Sequence, residues 1–400
     1  MIMLSKDLFV HRSKLFVKKR IREHGIFLSL LYIPLDLLDK FTKKISIKKL
    51  NFISIRKTTK DTVHFRLSGG LGDHLIGLNY ILYFSNTFPQ YKIEVSGKKY
   101  LLEALATNNI PTNWKIVHKP NNINIFCEIE INRFPIVTFF TLHGVTNCPN
   151  SLINIIKDYI KFENANSSIL RFHPITDASS ILYASLNLKN RISQPDLLNH
   201  FGISELKFNC IPKVTKLALN RWNLENATFI TVNRSIDSES RYITSTKIWP
   251  LENYEQLFEL LERHLKKIKV VLVGPREITL SQSYSNLINL SGKTTLSELQ
   301  TLLYYSKLHI GPEGGMVHLR QAMGKKKSVV LFGSTSSFFY GYEGNINVSS
   351  DFPRQCCNGC EWAIENWSEV CCISNKNYCQ RLVNLNANRV FELISIVLRE

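Results

Sequence analysis

The sequence predicts an α/β protein made of two Rossmann-like halves. Three observations carry this. TVHFRLSG (62–69) reads as a buried strand that runs through a glycine turn into an apolar-periodic helix, the opening of a Rossmann-like unit. From residue 227 to 333, strand-like and helix-like segments alternate, which implies a parallel sheet covered on both faces. Within that stretch IKVVLVG (268–274) is an unbroken apolar run, the pattern of a strand buried on both sides.

Residues 1–60 read as a basic amphipathic extension. They hold 15 Lys or Arg against four acids (Asp7, Glu23, Asp36 and Asp39), a net +11 of the chain's +18. Inside them IFLSLLYIPLDLL (26–38) is apolar but interrupted by Pro34 and Asp36. Spanning a bilayer takes about 20 apolar residues, so this run is too short. No small-residue cleavage site follows it, which argues against a signal peptide. Cations beside an amphipathic segment fit an anchor on an anionic membrane surface; the alternative is a helix packed on the body with its basic face in water. Nucleic acid is not expected as a partner: aromatics are few there and no known binding module is present.

Residues 61–220 form the first half. GGLGD (69–73) is its turn, HLIGLNYILYFSNTF its first helix and YKIEVSG (91–97) its next strand. IVHK, INIF and IVTFF are further strand-like pieces whose order the sequence does not give. Residues 221–350 form the second half. ATFITVN (227–233) is a strand, SIDSESRYITSTK a polar loop and NYEQLFELLERHLKK (253–267) an amphipathic helix. IKVVLVG, LINLSGK, the helix LSELQTLLYYS, KLHIG, a helix through MVHLRQAMG and the strand SVVLFG (328–333) complete the alternation. Residues 351–400 hold a cysteine cluster and a last helix, NANRVFELISIVLRE, free to pack on either half. Apolar residues at 44% and charged residues at 20% are ordinary for a folded globular chain.

Of nine cysteines, Cys127, Cys148 and Cys210 are scattered and read as core. Cys356, Cys357, Cys360, Cys371, Cys372 and Cys379 are clustered, and without an export signal such a cluster points to metal before disulfides. The Cys357-x-x-Cys360 spacing lets two thiolates share an ion, and Cys372 and Cys379 complete a four-thiolate site, with Cys356 or Cys371 able to replace a neighbour. Such a site suits zinc or iron and leaves no open position, so its role is structural. The alternative is a reduced, metal-free loop.

Four motifs follow one another in a fixed order: GGLGDHLIGLNYI (69–81), Lys247-Ile248-Trp249-Pro250, NLSGKTTLSELQTLLYYSKLHIG (289–311) and GPEGGMVHLRQAMGKKKSVVLFGST (311–335). In that order they resemble the family 9 glycosyltransferases, which include the bacterial lipopolysaccharide heptosyltransferases. The resemblance implies a GT-B fold: two Rossmann-like domains facing across a cleft, with a nucleotide-sugar donor on the carboxy-terminal one and the acceptor mostly on the other. It implies an inverting transfer without a catalytic metal. Some members, including heptosyltransferases that modify autotransporter proteins, carry a comparable four-cysteine metal site.

Asp73 falls where a strand-turn-helix delivers a side chain to the carboxyl end of the sheet. By the resemblance it is the base that deprotonates the acceptor hydroxyl; its alternative reading is a cap of the following helix. Gly69, Gly70 and Gly72 allow the tight turn, and His74 completes this acceptor loop. Lys247 matches the family's lysine, the cation for the departing diphosphate. Gly314 and Gly315 offer backbone N–H groups at a helix start, with His318 one turn on. Glu313 stands where the family usually has Asp, and Met316 where it usually has Pro, which leaves the donor's identity open. Glu277, matching a glutamate that meets ribose hydroxyls, and Thr231 complete the donor set.

The expected donor is ADP-heptose. The expected acceptor is a surface glycan such as lipopolysaccharide core or O-antigen, or else an autotransporter-type protein. The expected location is cytoplasmic, peripheral on the inner face of the membrane. A non-enzyme alternative is a nucleotide-binding, metal-stapled protein without turnover. A nicotinamide dehydrogenase is disfavoured, because the turn at 69–73 lacks the full GxGxxG.

Overall fold

The computed structural model describes residues 61–105, 110–118, 125–132, 136–142, 216–236, 245–324, 327–350 and 367–399, with single residues 154, 208, 210 and 360. The basic extension, Cys148, Cys356 and Cys357 lie outside the described residues.

The first sheet begins with β1 (Thr62–Leu67), whose Val63, Phe65 and Leu67 are buried beneath helix α1 (Leu71–Thr87). The Phe65 and Phe84 rings meet edge to face with centroids 5.1 Å apart. Then come β2 (Lys92–Ser96), α2 (Lys99–Leu105), β3 (Trp114–Ile116), β4 (Ile125–Asn132) and β5 (Ile136–Leu142). The strand order is β3-β2-β1-β4-β5. All neighbours run parallel except β4 and β5, which are antiparallel. The sequence leaves the order and direction of these strands open. Only residues 133–135 separate β4 from β5, too short for the crossover that a parallel pair requires.

After a 3-10 turn (Lys216–Trp222) the second sheet is laid down. Its elements are β6 (Phe229–Asn233), α3 (Leu251–His264), β7 (Lys269–Val273), β8 (Leu287–Asn289), α4 (Leu296–Tyr305), β9 (His309–Pro312), α5 (Gly315–Ala322), β10 (Ser328–Leu331), α6 (Ser337–Tyr340) and β11 (Ile346–Val348). The order is β11-β10-β9-β6-β7-β8, parallel throughout. All of β6 is buried, as its apolar composition requires. The chain lays β7 and β8 on one side of β6 and β9 to β11 on the other, so the order switches between β6 and β9. Ligands of open α/β sheets bind beside the strand carboxyl ends at such a point.

Two helices follow the second sheet in the chain. After α7 (Gln380–Asn384), helix α8 (Ala387–Arg399) packs on α3, with Val390 and Ile394 buried in a core shared with Leu257 and Leu261. The last helix thus belongs to the second half. The halves themselves meet where α1 packs on α5. A Cβ on Gly315 would lie 2.8 Å from Leu71, and one on Gly72 would collide with the His318 ring. Glycine at both positions lets the two helices approach this closely. No helix among the described residues is long and apolar enough to cross a membrane.

Three buried histidines set an acid limit on this fold. His309 lies in the centre of the second sheet with Nδ1 3.1 Å from Thr231 Oγ1; burial, helped by the Arg320 charge, pushes its pKa down to about 3. Burial lowers His64 and His74 as well. In the unfolded chain each takes up a proton below about pH 6.5, whereas the folded protein holds His309 neutral until about 3. Stability is therefore lost as pH falls through the window between those values. The melting temperature, followed by calorimetry, should be level near pH 7 and decline below pH 6.5, and His309→Asn should make that decline shallower. An unchanged slope in the variant would contradict this account.

Candidate active site

The site is built from loops at the carboxyl ends of both sheets. In the first half, β1 ends at Leu67 and the chain must turn sharply into α1. Gly69 makes the turn with φ +98°, a conformation side chains rarely adopt. Asp73, in the first turn of α1, accepts a hydrogen bond from Gly70 N at 2.9 Å through Oδ2, the carboxylate half of a capping box. Capping and a place at the cavity wall are therefore compatible for Asp73. His74 is fully buried: Nε2 accepts from Lys98 N at 3.2 Å, so Nδ1 carries the proton and donates to Gly70 O at 2.9 Å. This pins the loop after β2 against the loop after β1 and brings Lys98, Tyr100 and Leu101 to the same opening.

In the second half, Glu313 leaves the end of β9 directly before α5. Lys247 is delivered from the segment before α3, where Ile248 and Trp249 are buried and Trp249 Nε1 donates to Leu385 O at 2.9 Å. With its neighbours anchored, Lys247 turns to Glu313 and forms an ion pair with Oε2. His318 stands on the other side, with Nε2 3.7 Å from Glu313 Oε1 and Nδ1 2.6 Å from the Tyr342 hydroxyl. Burial alone would raise the Glu313 carboxyl, but Lys247 and His318 outweigh it and hold the group far below the ordinary carboxylate range.

These groups line one cavity of about 410 Å³ between the halves. Gly70, Gly72 and Asp73 face it from the first half, and Lys247, Glu313, Gly314, Gly315, Met316 and His318 from the second. At the start of α5, Val317 N and His318 N donate to Gly314 O, while the N–H groups of Gly315 and Met316 lack intrahelical acceptors by helix geometry and, with Lys247, offer an anion site. Other predicted residues lie elsewhere. Gly69 sits behind Asp73, and His74 performs the loop pinning described above. Thr231 is wholly buried, bonded to Ser306, Leu308 and His309, inside the sheet rather than at its edge. Glu277 is exposed and paired with Lys293 at 3.8 Å, outside the cavity lining. Sequence reasoning missed Asn233, the last residue of β6, and Gly274, Thr294 and Thr295, which follow the carboxyl ends of β7 and β8, and missed Trp367 and Ser368. Strand ends were the available signal for the first four; nothing in the local sequence marked Trp367.

The cysteine segment folds beside this site. Cys360, Cys371 and Cys379 are buried, and Cys360 Sγ lies 3.7 Å from Cys372 Sγ. Two thiolates on one tetrahedral metal with bonds of about 2.3 Å stand about 3.8 Å apart, so this pair fits such a site. Burial pushes the Cys371 thiol up, but N–H groups of Ser374, Ile373 and Gln380 outweigh it and pull it down. Among the described residues no group of three or more His, Cys, Asp or Glu is arranged around a metal position, and Cys357 lies outside them.

Residues 235–368 match the sequence profile of glycosyltransferase family 9 (heptosyltransferase). Over that stretch, about a third of the chain, the sequence is similar to that family. The matched span holds Lys247, Glu313, His318 and Trp367, and Asp73 precedes it. No curated protein matches the chain in sequence. Among solved structures the chain is similar to the iron-containing dodecameric glycosyltransferase TibC of enterotoxigenic E. coli, with 14% identity over 87% of this chain and 78% of that one and a TM-score of 0.51. The TibC complex with ADP-D-β-D-heptose gives 13% identity, the same coverage and a TM-score of 0.51. The family 9 glycosyl transferase of Veillonella parvula shares 14% identity over 87% of this chain and all of its own, with a TM-score of 0.47. At these identities the likeness to TibC bears on the fold alone.

The central ion pair of the site makes its own prediction. Lys247→Met strands a buried carboxylate, an uncompensated charge that costs about 3–5 kcal/mol. Lys247→Met with Glu313→Leu removes both charges and should recover most of that loss. Denaturant titration reads both; purely additive losses in the double variant would contradict the pairing.

Proposed function

We propose that the chain is an inverting glycosyltransferase that moves heptose from ADP-heptose to a bacterial surface-glycan acceptor. One observation carries the reading: the Lys247–Glu313–His318 cluster and the start of α5 face Asp73 across a single cavity. The first is an anion site, and the second is a carboxylate able to take a proton. Between them an acceptor hydroxyl attacks the anomeric carbon and gives its proton to Asp73. The bond from that carbon to the diphosphate oxygen breaks. The charge left on the nucleoside diphosphate is met by Lys247 and the N–H groups of Gly315 and Met316 at the start of α5. Glu313 holds the lysine in place and His318 closes the network.

ADP-heptose as donor is supported by the heptosyltransferase description of the matched family and by the TibC complex with that nucleotide sugar. Residues 1–60 would keep the protein at an anionic membrane surface, where lipid-linked acceptors lie. A protein acceptor is the second reading, favoured by the Cys360–Cys372 pair beside the site, since TibC is iron-containing. In either case Cys357, Cys360, Cys372 and Cys379 would hold a zinc or iron ion. Its chemistry there is a structural cross-link.

Asp73→Asn keeps an oxygen acceptor for Gly70 N, so the turn should fold. Turnover of ADP-heptose with acceptor should fall by roughly 10²–10⁴-fold while calorimetric binding of ADP stays within a few-fold of wild type. Near-normal turnover would remove Asp73 as the base.

A further inference from the structure

Resting on that reading, we propose that Trp367 is the platform for the donor's sugar ring, carried into the cavity by the cysteine-rich segment.

Strand order maps the cavity. Along the carboxyl edge of the second sheet, the exits of β8 and β7 supply Thr294, Thr295, Gly274 and Pro275 to one end of the lining. The exit of β9, with Glu313 and the start of α5, lies inward of these. The exit of β10 lies at the other end, and Thr246 is bonded there, with Oγ1 2.8 Å from Ser334 Oγ. The anion site at β9 fixes where a diphosphate sits. A nucleoside and a sugar leave a diphosphate in opposite directions, so one lies towards β7 and β8 and the other towards β10. The sugar must also reach Asp73, which faces the same opening from the first half.

Trp367 stands at the β10 end. Lys247 Nζ lies 5.9 Å from its ring centroid, within cation–π range. Its backbone is held firmly. Thr246 Oγ1 donates to Trp367 O at 2.5 Å, Thr246 N to Ser368 O at 3.2 Å and Ser245 Oγ to Ser368 O at 2.6 Å. The same segment is tied to β10 through Cys360 N, which donates to Ser334 O at 3.0 Å. The indole is half-buried and lines the cavity with Ser368. A pyranose ring presents C–H groups on one face and hydroxyls at its rim. A fixed indole with a polar neighbour matches that chemistry, and ligand pockets use aromatic walls and a few polar groups in this way.

The test separates sugar recognition from nucleotide recognition. Calorimetric titrations of ADP and of ADP-heptose would be compared in wild type, Trp367→Ala and Trp367→Phe. Wild type should bind ADP-heptose more tightly than ADP. Trp367→Ala should erase that preference, a change of about tenfold in the ratio of the two dissociation constants, with ADP affinity nearly unchanged. Trp367→Phe, which keeps a ring and guards against misfolding of the alanine variant, should retain most of the preference. Equal weakening of both ligands would overturn the proposal, because Trp367 would then only position Lys247. An unchanged ratio in Trp367→Ala would also overturn it. Failure of wild type to bind either ligand would instead overturn the nucleotide-sugar reading beneath it.

Discussion

The ion pair between Lys247 and Glu313 is the constraint on which the site depends. A carboxylate this deeply buried is tolerable only if its charge is met. Lys247 and His318 meet it, and each is itself fixed by neighbours: Lys247 by the buried Ile248 and Trp249, His318 by Tyr342 and by Gly72 pressed against its ring. Because Gly72 belongs to the first half and His318 to the second, the same contact that completes the network also brings the halves together.

The carboxy-terminal segment belongs to this arrangement rather than hanging from it. Its bonds to Ser245, Thr246 and Ser334 bracket Lys247 on the backbone side. Arg381 reaches back to Gly333 O at 3.0 Å, and Leu385 O receives the Trp249 indole. Any cross-link among the cysteines would therefore stiffen the lysine's surroundings, which is a structural route from a thiolate cluster to the cavity.

Much of the fold was legible in the sequence, because burial on both faces writes itself as apolar runs such as IKVVLVG, and glycine marks the turns at 69 and 314. What was not legible follows from physics that motifs do not encode. IVTFF reads as a strand, but its antiparallel direction comes from the length of the link before it. Thr231 and Asn233 share one strand and one parity, yet two residues amount to roughly 6.6 Å. That distance separates a hydroxyl inside the sheet from an amide at its edge. Glu277 has the right residue type after the right strand, but its backbone packs against Gly292 and its side chain is exposed. Trp367 is far in sequence from every motif and reaches the site only through hydrogen bonds formed by tertiary folding.

The most direct measurement is calorimetric titration of wild type and Lys247→Met with ADP, UDP, GDP and CMP. The account requires selective binding of ADP by wild type and at least tenfold weaker binding in the variant, since the lysine is the main cation facing the phosphates. Equal affinity in both proteins, or no nucleotide bound at all, would contradict a diphosphate site at Lys247 and the start of α5.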